Sequence, residues 1–390
     1  MRVAYICADP GVPVFGAKGS SVHVQSVIAA LLRRGARVAL FAARFDGAPP
    51  PELAGVACHA LPRPPKGAPE VREAALLAAN ADLAVALEQE GPFDLIYERY
   101  SLWSYAGMEH AVARRLPGLL EVNAPLIDEQ ARHRILVDRA GAERAAWRAF
   151  AAASALLAVS DGVAEYLRVS PAARGRVAVV PNGVDPVRFT SRPRRGDGPY
   201  TVGFVGTLKP WHGLEVLLAA FALLRERVPS ARLLIVGDGP EREALERAAA
   251  GLGLGPAVTF TGAVAPAAIP ALLGQMDVAV APYPHAERCY FSPLKLYEYM
   301  AAGLPVVASR VGQVATTIAH GRSGLLCPPG DAEALAAALV RLHADPALRA
   351  RLGSAARADV VERHTWDAVA ARILALAGLG AGRQVQASHG

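Results

Sequence analysis

Short apolar runs rich in Val, Ile, Leu and Ala recur along almost the whole chain, separated by segments whose apolar positions repeat at helical spacing. In the first half VAYICA (3–8), RVALFAA (37–43), DLIYER (94–99), GLLEVNA (118–124), ALLAVS (155–160) and VAVVP (177–181) predict strands. SVHVQSVIAALLRRG (21–35) predicts a helix with Val24, Val27, Ile28 and Leu31 on one face. Strands that are apolar on both faces, with helices between them, predict a parallel sheet covered on both sides. The stretch DPVRFTSRPRRGDGPY (185–200) is polar, rich in Pro and Gly and without a period, which predicts a linker. Beyond it the alternation restarts with TVGFVG (201–206), RLLIVG (232–237), AVTFTG (257–262), VAVAPY (278–283), PVVAS (305–309) and GLLCPP (324–329), followed mainly by helices.

The fold class expected is therefore α/β, with two doubly wound domains in tandem. Ligands are expected at the carboxyl ends of the strands and in the cleft between the domains. The boundaries expected are 1–188 for the first domain and 189–364 for the second. A C-terminal helix in 365–380, around TWDAVAARILALAGL, is expected to cross back to the first domain, and 381–390 to be a disordered tail.

Composition narrows the function. Over 390 residues, 53% hydrophobic and 19% charged residues supply enough apolar surface for two cores. No apolar run approaches the roughly 18 residues of a membrane span, and the N-terminal apolar stretch is too short for a signal peptide. Four scattered cysteines with no CxxC pair fit a reducing cytoplasm and give no zinc site. The net charge of +6 is spread along the chain, which argues against a nucleic-acid partner and for a small acidic ligand. Lysine occurs only at Lys18, Lys66, Lys209 and Lys295, and all but Lys66 stand in or just after loops at helix starts, where an anion could dock.

One stretch concentrates that chemistry: CYFSPLKLYEYMAAGLPVVAS (289–309). Ser292 is expected to cap a helix over 293–302, with Pro293 at its first position. Its N-terminus would offer free N–H groups and a positive dipole end to an anion. Lys295 adds a full charge in the first turn, where a structural design prefers Asp or Glu. Glu298, one turn on, could accept hydrogen bonds from two neighbouring hydroxyls, as on a ribose. The competing reading is a plain i,i+3 Lys–Glu ion pair.

SPLKLYEYMAAGLPVVAS resembles the donor-site helix of retaining glycosyltransferases of the GT-B fold, in particular glycosyltransferase family 4. VPNGVD (180–185), VGFVGTLKPWHGLEVLLAAF (202–221), LLIVGDGPERE (233–243), VTFTGAV (258–264) and GLLCPPGDAEALAAAL (324–339) carry the same resemblance over nearly the whole chain. It implies two Rossmann-like domains, the first for the acceptor and the second for a nucleotide-sugar donor. It also implies that Glu298 binds the ribose hydroxyls, that the loop at Ser292 and Leu294 contacts the diphosphate and sugar, and that Val264 lies along the base. In the first domain Gly19 would let the backbone approach the diphosphate.

The chain departs from the family pattern at several of these positions. The first of two glutamates eight positions apart falls at Tyr290, and the Arg and Lys of the phosphate site fall at Thr207 and His212 beside Gly206. The loop's second Gly falls at Pro293, a first-domain Gly at Lys18, and a first-domain histidine at Asn123. Lys18, Lys209 and Lys295 are expected to make up the missing charge, with His212 as a neutral or protonated donor.

The activity expected is a cytoplasmic, metal-independent, retaining hexosyl transfer, with Lys209, Lys295 and Glu298 carrying the chemistry. No DxD motif is present. UDP-hexose or UDP-N-acetylhexosamine is the favoured donor, with GDP-mannose second. The acceptor is a hydroxyl on a small molecule, a glycan or a lipid. Glu98, Arg99, Asn123, Glu129 and Arg132 are the acceptor-side candidates. No cofactor and no metal are expected, since the nucleotide-sugar is a substrate. His23 and Trp211 are alternatively packing residues. RHRILVDRAGAERAAWRAF (132–150) is expected as a basic amphipathic helix able to contact a membrane surface peripherally, or to present an Arg-rich face to water. Two alternatives stand beside transfer: a nucleotide-sugar-binding protein of this fold without activity, and a nucleotide-sugar epimerase or phosphorylase. A dinucleotide oxidoreductase is disfavoured, because neither glycine loop has GxGxxG spacing.

Overall fold

The structure is a computed structural model and describes residues 1–189, 198–285 and 290–380. The chain divides into two compact units, Met1–Pro181 together with the segment from Trp366 onward, and Asn182–Thr365.

In the first unit seven parallel strands lie in the order β3-β2-β1-β4-β5-β6-β7. They are β1 Arg2–Cys7, β2 Arg37–Ala42, β3 Ala57–Ala60, β4 Leu95–Arg99, β5 Gly118–Val122, β6 Ala155–Ala158 and β7 Val177–Val179. The six expected strands form within one or two residues of their expected ends. Strand β3 was not anticipated, because ACHA has mostly exposed side chains at the sheet edge and no apolar run. Helix Gly19–Arg33 begins two residues earlier than its apolar period suggests. The stretch 132–150 is not one helix: helix Leu126–His133 ends, a loop follows, and a second helix, Arg139–Ala152, begins. Helix Trp366–Leu376 packs on it through an Arg33–Asp367 ion pair at 2.9 Å.

The second unit is a six-stranded parallel sheet in the order β10-β9-β8-β11-β12-β13. Its strands are β8 Thr201–Val205, β9 Arg232–Val236, β10 Val258–Phe260, β11 Val278–Ala281, β12 Val306–Ser309 and β13 Leu325–Cys327. Leu217, Leu218, Phe221 and Leu224 of helix Leu214–Arg227 fill one face of that sheet, each side chain worth about 1.5–3 kcal/mol of burial.

The break between the units falls at residues 181 and 182, seven residues before the expected boundary at 188. Residues 182–189 are tied to the second unit by backbone and side-chain bonds. The Val184 N–H donates to the His364 carbonyl at 2.8 Å, and Arg357 donates to the Phe189 carbonyl at 2.6 Å and to the carbonyl of Ala301. The expected linker is thus ordered at its start, while 190–197 and the expected tail 381–390 lie outside the described residues.

In each sheet the strand order reverses beside the first strand, between β1 and β4 and between β8 and β11. A doubly wound sheet opens a crevice at the carboxyl ends of such a pair. Arg99 ends β4 at the first of these points, and Gly206 follows β8 at the second.

Candidate active site

In the second unit β8 ends at Val205, and Gly206 turns the chain with φ +150°. The loop then makes a short 3-10 turn, Pro210–His212, closed by Gly213 at φ +68°. Gly213 packs on the end of β11 so closely that a Cβ would lie 1.8 Å from the Pro282 carbonyl oxygen. This fixes the position of His212. Its Nδ1–H donates to the Thr207 carbonyl at 2.5 Å, leaving Nε2 as an acceptor. Burial and the neighbouring Lys295 and Lys209 charges push its pKa down to about 3. His212 is therefore neutral in the ligand-free protein, with its Nδ1–H engaged by the Thr207 carbonyl. Thr207 is exposed. Lys209 is half-buried, with Nζ 5.5 Å from the centroid of the Trp211 ring.

Helix Leu294–Ala301 begins one residue later than expected. Pro293 takes the N-cap position, and no side chain caps the helix. Ser292 does not cap because its groups are already used: its Oγ accepts from the Asn182 N–H at 3.2 Å, and its carbonyl from the Asn182 side-chain amide at 2.9 Å. Within the first turn the Leu296 N–H donates to the Pro293 carbonyl at 3.0 Å. Leu294 is half-buried at the head of the helix.

Lys295 runs from the first turn of that helix back to the strand end. Its Nζ lies 4.2 Å from the centroid of the Phe204 ring and 5.7 Å from that of Tyr283. The amine is buried and makes no hydrogen bond or ion pair among the described residues. The i,i+3 ion pair with Glu298, the plainer reading of the spacing, is not formed. Burial pushes the Lys295 pKa down to about 7 against the opposing effect of Glu298. Burial likewise raises Glu298 to about 7, opposed by Arg188 and Lys295. A cation and a carboxyl one turn apart thus both stand near neutrality, without an ion pair to each other. Val264 stands after the turn at Gly262, half-buried against the core of the same unit.

In the first unit the expected acceptor residues meet a carboxylate the sequence reading passed over. Glu121, on β5, is buried. It accepts from His23 Nε2 at 2.9 Å, from Arg99 at 3.2 Å, from the Asn123 amide at 2.6 Å and from the Tyr97 hydroxyl. Burial pushes its carboxyl up, but His23, Arg99 and Tyr97 together hold it well below the usual carboxylate range. Arg99 and Asn123 are thus brought together at the carboxyl ends of β4 and β5, and His23 is part of the same network. Its ring also packs edge-on against Trp366 at 5.2 Å.

Glu98 belongs elsewhere. It is wholly buried, accepts from the Ser104 hydroxyl, and a Cβ on Gly107 would lie 2.4 Å from its Oε2. Burial raises its pKa to about 7. No acceptor reaches it in this packing, which corrects its place among the acceptor-side residues. The sequence signal was misleading because a strand carboxylate has the same pattern whichever face it points to. Lys18 and Gly19 stand exposed at the start of helix Gly19–Arg33, with Lys18 in the N-cap position.

No cluster of His, Cys, Asp and Glu suited to a metal occurs among the described residues. None of the described helices is long and apolar enough to cross a membrane.

Two family models match the chain: "Glycosyltransferase Family 4" over residues 17–188 and "Glycosyl transferases group 1" over residues 199–345. The D-inositol 3-phosphate glycosyltransferase of Stackebrandtia nassauensis is 30% identical over 390 residues, covering 92% of this chain and 86% of that protein. The GDP-mannose-dependent alpha-(1-6)-phosphatidylinositol monomannoside mannosyltransferase of Mycobacterium tuberculosis is 32% identical over 245 residues, 57% of this chain and 63% of that one. The chain spans between about half and two thirds of the length of several such curated relatives. The solved structure of Anabaena HepE with UDP and glucose superposes with a TM-score of 0.74 at 23% identity, covering 96% of this chain and 98% of that one. The fold is thus the GT-B class of two Rossmann-like domains. The chain belongs to glycosyltransferase family 4 and is a glycosyltransferase homologue throughout its two units.

Proposed function

We propose that the protein is a retaining hexosyltransferase that takes its sugar from a nucleoside diphosphate, with UDP-hexose or UDP-N-acetylhexosamine as donor. The observation that carries this reading is the buried amine of Lys295, without a hydrogen-bond partner among the described residues, beside Gly206 at the switch point of the second sheet. An unpaired buried cation is costly, and a diphosphate placed there would satisfy it. Lys209 and the positive end of helix Leu294–Ala301, which no side chain caps, add to the same field, and Glu298 would accept from the ribose hydroxyls. With Tyr290 and Thr207 replacing the family's charged residues, these groups take over the charge that leaves with the diphosphate.

In the transfer the bond from the anomeric carbon to the phosphate oxygen breaks. The acceptor oxygen bonds to that carbon on the same face, and its proton passes to the departing phosphate, giving the glycoside and free nucleoside diphosphate. Preorganised cations stabilise the negative charge that grows on the leaving group. Arg99 and Asn123 in the first unit would orient the acceptor hydroxyl. Its carrier is a small molecule, a glycan or a lipid.

The GDP-mannose-dependent relative favours a second reading with GDP-mannose as donor. Calorimetric titration of the full chain with UDP, GDP, dTDP and NAD, in chelator and without added metal, separates the two. Tight binding of UDP alone supports the first reading, and of GDP alone the second. Binding of none of the diphosphates, or of NAD, overturns both. Binding followed by no sugar transfer or donor hydrolysis would mean a nucleotide-sugar-binding protein that has lost its chemistry.

A further inference from the structure

Strands β8 and β11 part before they end. The last residues they pair are Gly203 and Ala279. Each strand stays with its outer neighbour for two residues more, β8 with β9 as far as Val205 and Val236, and β11 with β12 as far as Ala281 and Ala308. The edge of β8 that faces the opening therefore carries the N–H and carbonyl of Val205, and buried backbone groups need partners. One side chain supplies both. The hydroxyl of Tyr299, wholly buried, accepts from the Val205 N–H at 2.7 Å and donates to the Val205 carbonyl at 3.2 Å.

Tyr299 stands on helix Leu294–Ala301, four residues after Lys295. Residues at that spacing share a helix face. With Tyr299 fastened at Val205, Lys295 lies one turn, about 5 Å, closer to the helix N-terminus. Its amine thereby reaches the Phe204 ring and the space beside Gly206, the next residue out along β8. Leu296 and Met300 also bury this helix, but apolar contact has no direction and fixes neither slide nor rotation. Two hydrogen bonds to one backbone residue fix both. A charge-assisted bond needs a separation of about 2.7–2.9 Å, so a slide of about 1 Å would break it.

We propose that Tyr299 is a positioning residue for the donor site: by taking both backbone groups of Val205 its hydroxyl locks helix Leu294–Ala301 to the end of β8 and holds the Lys295 amine where a diphosphate would lie. Its role for the donor rests on Lys295 meeting the diphosphate, as proposed above.

The test compares the full chain with Tyr299→Phe, which keeps the ring and removes only the oxygen. Tyr200→Phe is the control, since the Tyr200 hydroxyl donates to the Leu339 carbonyl at 3.1 Å in a different core of the same unit. Both variants should lower the urea midpoint. Only Tyr299→Phe should raise the Kd for UDP, by about tenfold. Made in the Lys295→Met chain, the same change should alter that Kd by less than about twofold, because the amine it positions is gone.

A second readout needs no nucleotide. Lysine occurs only at Lys18, Lys66, Lys209 and Lys295, so carbon-13 at the lysine Cε gives one resonance for each, and Lys295→Met identifies its own. Among the described residues the titratable groups around the Lys295 amine are Glu298 on its helix, His212 in the turn after β8 and Tyr283 after β11. The Lys295 resonance should titrate near 7 in the wild type and in Tyr200→Phe, and nearer 10.5 in Tyr299→Phe, where displacement lets water reach the amine. An unchanged titration in Tyr299→Phe, or an unchanged Kd where UDP binds, overturns the proposal. So does an equal loss of affinity in Tyr200→Phe. A wild-type resonance that already titrates near 10.5 overturns it whatever the variants do. Absence of nucleoside diphosphate binding by the wild type overturns the donor reading instead, and the lysine titration still decides whether Tyr299 sets the amine.

Discussion

The amine of Lys295 occupies the space that a side chain on Gly206 would need: a Cβ on that glycine would lie 2.7 Å from Nζ. The two residues are 89 positions apart in sequence and meet at the carboxyl end of β8. Gly206→Ala therefore carries two penalties, the collision and a φ of +150° that an L side chain rarely adopts. Its cost to stability should be about 1–3 kcal/mol, seen as a lower urea midpoint. UDP affinity should fall more than tenfold. Full affinity with lowered stability would separate the glycine from the binding site.

Lys295→Met should stabilise the ligand-free protein while weakening nucleotide binding. The unfolded lysine keeps its proton to about 10.5 and the folded one to about 7. Between those values the unfolded chain binds more protons, so the penalty of burying the charge is full below pH 7 and fades as pH rises towards 10.5. The Tm advantage of the methionine variant should accordingly be largest near pH 6 and shrink above pH 8. Differential scanning calorimetry across that range decides it. A lower Tm for the variant at pH 6 would mean that the amine has a partner in solution.

UDP affinity should peak near neutral pH. Lys295 must hold its proton to meet the diphosphate, and Glu298 must lose its own to accept from two hydroxyls. Both stand near 7 because burial moves them in opposite directions. The alkaline limb should vanish in Lys295→Met and the acid limb in Glu298→Gln. Calorimetry in buffers of different ionisation heat would also register proton uptake by the wild type above pH 7. A flat pH profile would remove both groups from the site.

Glu121→Gln should destabilise the first unit by about 3 kcal/mol at neutral pH, because it leaves Arg99 buried beside a neutral amide. The carboxylate's contribution is present above its unfolded pKa of about 4.5 and is lost as pH falls through its much lower folded value. The gap between wild type and variant should therefore hold from pH 5 to 8 and close in stronger acid. Urea titrations at several pH values measure it. A neutral effect would mean that Arg99 finds another partner.

Most of the architecture was legible along the chain. Twelve of the strands announce themselves as apolar runs because a strand buried on both faces is mostly apolar and carries a polar side chain only where a partner satisfies it, as at Glu121. Strand β3 escaped because an edge strand needs no such run. The helix after Ser292 was legible from the Ser-Pro pair at its start. Its cap was not, since Ser292 is claimed by Asn182, 110 positions away. Lys295 and Glu298 could be named from their spacing, although the same spacing is equally that of a surface ion pair.

What the sequence by itself determined is the alternation of strand and helix, the two units, the family, and which side chains could meet an anion. Those follow from short-range periodicity and from residue types at fixed offsets. Only the tertiary structure decided which of them are poised to act. It buried the Lys295 amine against Phe204 and Tyr283 with no hydrogen-bond partner among the described residues, made His212 neutral, sank Glu98 beneath Gly107, and drew Arg99, Asn123 and His23 onto Glu121. Desolvation and hydrogen-bond partnership set the charge state of a titratable group. Both depend on residues far apart in the chain, and no local pattern encodes them.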